Sequence, residues 1–284
     1  QRRDFRMNAL YATPDGELHD PTGGGLDDIA SRRIIFVGDP ETRIREDYLR
    51  ILRFFRFQAW YGRTVPDAAG LAACAKLRGG LADISAERIW METGKLLAAP
   101  QPLAALDAME STGVLDQLFI EAKGLKLLRK LVGLDIREGF APDPIVRFLA
   151  LFWKDAAAVH DVANRMKMSN DERHRLNWAV QHDAPLWGGI TEQEVRTALY
   201  LAGQQTIRDR LMLEWASDGS ADWSDVLTLV DAWQRPVMPV TGADLLKRGV
   251  AQGPEIGDAL RKLEAAWIDS DFTATHDELL AQLA

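Results

Sequence analysis

The sequence predicts a mainly α protein, in which the remnant of a small β-sheet at the N-terminus is followed by an all-helical remainder. Three observations predict it. Strand chemistry is confined to residues 1–40, apolar spacing turns helical from Asp39-Pro40 and stays so to the end, and no fixed-period repeat marks a solenoid. With 284 residues, 47% of them apolar, the chain can bury a substantial core and divide into more than one packed unit.

In order along the chain, Asn8 to Thr13 and Glu17 to Asp20 flank Pro14-Asp15-Gly16, a proline-started turn with glycine available for positive φ, which reads as a hairpin. The run Thr22-Gly23-Gly24-Gly25 reads as a mobile hinge or turn rather than a phosphate cradle, because no lysine follows at phosphate-loop spacing. A short strand at Arg33 to Val37 is expected next. Two or three strands make a poor sheet alone, and the first residues begin in mid-pattern, so partner strands are expected upstream of residue 1. Helices are expected at 43–61, 67–77, 86–98, 101–112, 121–132, 142–153, 155–167, 170–182, 191–202, 204–217, 222–234, 242–248 and 254–268, punctuated by glycine, proline and serine.

Composition narrows the function classes. The longest apolar stretches, such as Phe148 to Trp153, fall far short of the roughly 18 residues that a membrane span needs. Cys74 stands alone, which rules out an internal disulfide and a cysteine-ligated zinc site and points to a reducing cytoplasm. The net charge of −8 repels polyanions, so any RNA site must be a local basic patch. Every lysine or arginine in the first 63 residues is arginine, whose planar fork grips phosphates and base edges in two places at once.

The segment Glu46-Asp47-Tyr48-Leu49-Arg50-Ile51-Leu52-Arg53-Phe54-Phe55-Arg56-Phe57 carries the most chemistry. On a helix, Ile51, Leu52, Phe55 and Ala59 share one arc, while Asp47, Arg50, Arg53 and Arg56 wind round the other half. Local ion pairs, Glu46 with Arg50 and Arg43 with Asp47, would make this an ordinary solvated face. The alternative is a base mimic. Asp47 only accepts and Arg50 only donates, so together they match the amino group and ring nitrogen of cytosine or adenine. Uracil and guanine would set donor against donor and acceptor against acceptor, at a cost of a few kcal/mol.

Three ordered blocks then resemble the class II CCA-adding tRNA nucleotidyltransferase and bacterial poly(A) polymerase family. They are Arg2-Arg3-Asp4-Phe5-Arg6-Met7-Asn8-Ala9-Leu10, Asp20-Pro21-Thr22-Gly23-Gly24, and Glu46-Asp47-Tyr48-Leu49-Arg50 running on to Arg53 and Arg56. Weaker matches are Ile84 to Trp90, Met166 to Asn170, Thr241 to Leu246 and Gly253 to Gly257, so the resemblance spans most of the chain. It implies the end of a nucleotidyltransferase head at 1–40, a nucleotide- and RNA-recognising neck at 41–112, a helical body at 113–235 and a tail at 236–284. It implies that Arg3 and Asp4 contact the incoming nucleotide, that Asp47 and Arg50 select its base, and that Arg53 and Arg56 face the triphosphate. Arg6 stands where the family usually has threonine. By the same resemblance the partners are CTP, ATP and the tRNA 3′ end. The Mg2+ carboxylates belong to upstream strands, so no catalytic or metal residue is expected in this segment, which alone would be inactive.

Lys123, Lys126, Arg129 and Lys130 recur at helical spacing and could hold RNA phosphates, as could Lys247 with Arg248, and Lys167 with Arg173 and Arg175. Three His-Asp pairs, His160-Asp161, His182-Asp183 and His276-Asp277, raise the separate prospect of a metal-dependent phosphohydrolase. A poly(A) polymerase of the same family and a non-catalytic helical RNA-binding module are the other readings. The nine tryptophans are spread along the expected helices, which suits core packing, with stacking on an RNA base open to one or two.

Overall fold

A computed structural model of the chain describes residues 3–181, 190–219 and 222–283. The chain folds into two compact units, Gln1–Gln181 with Ala216–Gly219, and His182–Trp215 with Ser220–Ala284.

The first unit opens on the hairpin. Strands β1 (Tyr11–Ala12) and β2 (Leu18–His19) pair antiparallel, Tyr11 opposite His19, around a turn in which Gly16 takes φ +87°. The strand expected at Arg33 to Val37 does not form. Instead Phe36 makes a single antiparallel bridge with Phe5, Arg6 N donating to Ile35 O (2.9 Å) and Val37 N to Asp4 O (3.0 Å). With so few partner strands, these residues are held mainly by aromatic packing. The glycine run forms a turn, as its composition suggests. Asp20 accepts from the amides of Thr22, Gly23 and Gly25 and leads into a short unexpected helix, α1 (Gly25–Ala30). Those contacts, the Thr22 hydroxyl first, hold the Asp20 carboxyl down at about 2.

The expected helix 43–61 is two helices. Asp39 caps α2 (Pro40–Glu46) through the Thr42 amide, with proline at the first turn. The chain leaves helical geometry at Asp47 (φ −159°, ψ 106°), whose carboxylate accepts from Leu49 N (3.1 Å), and α3 (Arg50–Tyr61) begins after it. This two-residue side-chain-to-backbone bond is the alternative that aspartate offers to continued helix. The Tyr48 ring lies across Gly80, where an added Cβ would sit 2.2 Å from it.

Helices α4 (Ala68–Leu77), α5 (Ala86–Leu97), α6 (Leu103–Ser111), α7 (Val114–Leu118), α8 (Leu125–Glu138), α9 (Pro144–Ala150), α10 (Ala156–Arg165) and α11 (Asn170–Gln181) complete the unit. The helix expected at 121–132 starts later and runs longer as α8, because Gly124 fits against the Ala150 carbonyl too closely for a side chain. Ile51, Leu52, Phe55 and Ala59 are all buried on α3 as their spacing requires, and Phe54 joins them against Phe36 (5.4 Å between centroids) and Phe5. This first unit is clasped by a buried ion pair. Arg147 on α9 reaches Asp135 on α8 (2.9 Å) and donates to the carbonyls of Leu97 and Ala99 at the end of α5.

The second unit comprises α12 (Glu192–Ala202), most of α13 (Gln204–Asp218), α14 (Ser224–Ala232), α15 (Gly242–Lys247), α16 (Pro254–Asp269) and α17 (His276–Ala281). Its core gathers Tyr200, Val240, Leu245, Leu263, Trp267, Leu279 and Leu280. Capping boxes at Thr191, Thr241 and Thr275, each closed by an acid three residues on, start three of its helices.

Candidate functional site

Two features bring the site together. The Phe5–Phe36 bridge carries Asp4 to the side of α3, and the arginines of α3 project from the flank its apolar arc leaves free. Asp4, buried, accepts from Arg50 Nε (2.9 Å) and Arg53 Nε (2.5 Å). Arg50 is further fixed through Nη1 to Glu46 (2.6 Å) and to the Arg43 carbonyl (2.5 Å), leaving Nη2 without a bond to any described residue. Arg43 pairs with Glu46 and donates to the Arg3 carbonyl (2.8 Å). On the far side Arg56 Nε meets Glu92 of α5 (2.5 Å), and Arg53 Nη1 stands 3.7 Å from the same carboxylate. The Arg56 guanidinium also lies over the Phe57 ring.

The electrostatics follow from this packing. Partial burial opposes the Arg50 charge, but Glu46 and Asp4 outweigh it and raise its pKa above the ordinary value. Arg50 in turn lowers the Glu46 pKa. The cationic side chains remain in surplus, because Arg3 is exposed and forms no ion pair with a described residue.

Asp47 and Arg50 do not lie one helical turn apart as the spacing suggests, because the chain breaks between them. The expected Arg43 to Asp47 pair is absent as well. Asp47 Oδ2 is instead bonded to Arg88 Nη2 of α5 (2.8 Å), while the local Glu46 to Arg50 pair does form. Asp4, Arg50, Arg53 and Arg56 are brought into one charged cluster, which Arg3 meets through its carbonyl, with Asp47 at its edge through Glu46 and the α2–α3 turn.

Sequence reading missed Arg88 and Glu92. Four apart on α5, they look like a local i,i+4 pair, yet each bonds to another element. The usable signal was Glu92 at a position flanked by the apolar residues Ile89, Leu96 and Leu97, a carboxylate that burial obliges to find a partner. Arg6, at the atypical position, grips fully buried Asp28 through two bonds (2.6 and 2.8 Å), which gives it a structural task.

The other candidates scatter. Lys123 precedes α8, Arg129 is tied to Asp107 and Glu110, Lys130 donates to Ser217 O, and Lys126 is exposed. Lys247 faces Asp244 at 3.4 Å and Arg248 is exposed; Lys167 pairs with Glu87 and Arg175 with Asp143, and Arg173 bonds to Asn164 and Asn170. His160 bonds to Asn164, and His276 to Asp277; His182-Asp183 lies outside the described residues, as do Arg2 and Trp187. Among the described residues no three His, Cys, Asp or Glu side chains converge as metal ligands, and the site's own acids are spent on arginines. These residues therefore do not form a Mg2+ site.

Comparison with known proteins decides the family. Residues 67–128 match a family model described as the probable RNA and SrmB-binding site of polymerase A. The chain is 30% identical over 288 residues to a CCA-adding enzyme of Limosilactobacillus fermentum, an alignment spanning 99% of this chain and 70% of that one. The chain belongs to the CCA-adding tRNA nucleotidyltransferase family. Within that family it is 32% identical to the mitochondrial CCA tRNA nucleotidyltransferase 1 of Danio rerio, across 100% of this chain and 66% of the relative. The fold matches the Bacillus stearothermophilus CCA-adding enzyme crystallised with CTP, with a TM-score of 0.73 and 26% identity over 95% of this chain and 69% of the other. The chain thus spans about two thirds of the length of the CCA-adding enzymes it matches.

Proposed function

We propose that this chain is the nucleotide-selecting and RNA-holding part of an enzyme that adds C, C and A to tRNA 3′ ends, using CTP and ATP and releasing pyrophosphate. The observation that carries the proposal is the Asp4, Arg50 and Arg53 cluster beside Asp47, in a chain aligned end to end with CCA-adding enzymes. Arg50 is held with Nη2 unbonded to any described residue, so that it could donate to a ring nitrogen, and the Asp47 carboxylate would accept from an exocyclic amino group. Arg53, Arg56 and exposed Arg3 supply cations for a triphosphate. The divalent metal common among nucleotidyl-transfer enzymes finds no fitting ligand set among the described residues. Lys123, Lys126, Lys247 and Arg248 are offered as backbone contacts for the tRNA. No described helix is long and apolar enough to cross a membrane, and the lone buried Cys74 suits the reducing cytoplasm we assign.

The test uses the full-length protein and a tRNA lacking its terminal CCA. Incorporation of C, C and then A is expected, while long A tracts with no C would favour poly(A) polymerase activity instead. Asp47→Ala should relax the preference for C and A over U and G, and Arg53→Ala should weaken all four triphosphates alike. Unchanged selectivity in the Asp47 variant would overturn base reading by this pair.

A further inference from the structure

The two halves of the base-reading pair are held very differently. Arg50 is pinned from three sides, by Asp4, Glu46 and the Arg43 carbonyl. Asp47 sits in a helix break, and its carboxylate has one local bond, from Leu49 N, and one brace from outside, Arg88 Nη2 at 2.8 Å. Arg88 stands in the first turn of α5, directly after Glu87, where the positive end of a helix disfavours a cation. Neither half could discriminate bases unless held in its productive plane.

We infer that Arg88 is a specificity-determining positioning residue, which fixes the plane of the Asp47 carboxylate so that it faces the amino edge of a cytosine or adenine. The inference rests on the base-reading role proposed above. A carboxylate has about four lone-pair sites, and the bonds from Arg88 and Leu49 occupy two, so the brace and a base amino group can hold Asp47 together. Arg88 makes no other ion pair with a described residue, and its contact to Asp47 uses a single nitrogen, so a lysine can substitute. The Arg88 side chain is 46% exposed, which makes its removal a small perturbation to the fold.

In the full-length protein, dissociation constants for CTP, ATP, UTP and GTP are measured for wild type, Arg88→Ala, Arg88→Lys and Asp47→Ala. Arg88→Ala should cut the CTP-over-UTP and ATP-over-GTP ratios by about threefold to tenfold, as expected for coupled neighbours, at an unchanged melting temperature, and Arg88→Lys should restore most of each ratio. A merely structural contact would move all four constants together. If Asp47→Ala relaxes selectivity and Arg88→Ala keeps the wild-type ratios, the positioning role falls while base reading stands. If Arg88→Ala tightens CTP and ATP at constant ratio, Arg88 is a competitor for the site rather than a brace, and the inference is equally overturned. If Asp47→Ala itself leaves the ratios unchanged, base reading fails and the positioning role fails with it.

Discussion

Replacing Asp4 with asparagine changes one atom's chemistry at the point where two arginines converge. Asp4 accepts from Arg50 Nε at 2.9 Å and Arg53 Nε at 2.5 Å, with side-chain exposures of 8% for the acid, 12% for Arg50 and 31% for Arg53. Asparagine can keep its oxygen toward one arginine and must then turn its amino group toward the other, setting donor against donor. Losing a hydrogen bond to a charged group costs about 1.5–3 kcal/mol, and breaking a buried ion pair by removing one partner costs about 3–5 kcal/mol. Arg50 retains Glu46 and the Arg43 carbonyl, and Arg53 is wet enough for water to repair part of its loss, so the lower range applies. We expect about 2–3 kcal/mol, which for a unit of this size lowers the melting temperature by about 4–12 °C. The assay is thermal unfolding followed by circular dichroism, combined with a double-mutant cycle against Arg53→Gln, in which the two changes together should cost less than their sum. A melting temperature within about 2 °C of wild type, or strict additivity, would refute the claim that Asp4 organises the arginines.

Three further outcomes are expected. Arg147→Ala should destabilise the chain by about 3–5 kcal/mol by breaking its buried ion pair with Asp135, and Arg147→Met with Asp135→Leu should recover only part in urea melts, because the Leu97 and Ala99 carbonyls lose their donor. Asp20 has its carboxyl lowered to about 2 from an unfolded value of 3.8, so its contribution is present above the unfolded value and lost as pH falls through the folded one. The urea-midpoint gap between wild type and Asp20→Ala should therefore close as pH falls from about 4 to about 2, and a gap of constant size across that window would contradict it. Gly25→Ala would put a Cβ 2.6 Å from the Arg6 carbonyl and should cost about 1–3 kcal/mol, whereas Gly133→Ala, with open space in α8, should stabilise by up to about 1 kcal/mol; thermal melts of the pair check both.

Much of the architecture was readable because helical periodicity is a local signal. The apolar arc of α3, the proline starts of α2 and α9, and the threonine caps of the second unit follow from neighbours a few residues apart. The break at Asp47 was not readable. Its residues all tolerate helix, and what decides the matter is the bond to Leu49 N together with Tyr48 seated on Gly80 and Arg88 reaching across. Asp4, Arg50, Arg53 and Arg56 were legible as a group through motif spacing. Glu92 and Arg88 were not, because an i,i+4 pair of opposite charge carries no mark of whether it closes on itself or bonds elsewhere. The strand expected at Arg33 to Val37 had the right composition, but a strand needs partners, and here only Phe5 and its neighbours supply them.

The core and the charged site are consequently one structure seen from two sides. Asp4 is followed by Phe5, and the arginines at 53 and 56 by Phe54 and Phe57. Phe5 packs on Phe36 at 5.0 Å, Phe57 at 4.8 Å and Phe54 at 6.3 Å, so seating these rings fixes where the Asp4 carboxylate meets the two guanidiniums. An ion pair at this level of burial is weak evidence for stability by itself, since desolvation offsets most of the attraction. The aromatic layer supplies the burial energy, and it holds the charges at separations they would not keep in water. A site built this way has its arginines oriented before any anionic ligand arrives, and binding then would not have to bear the cost of ordering them.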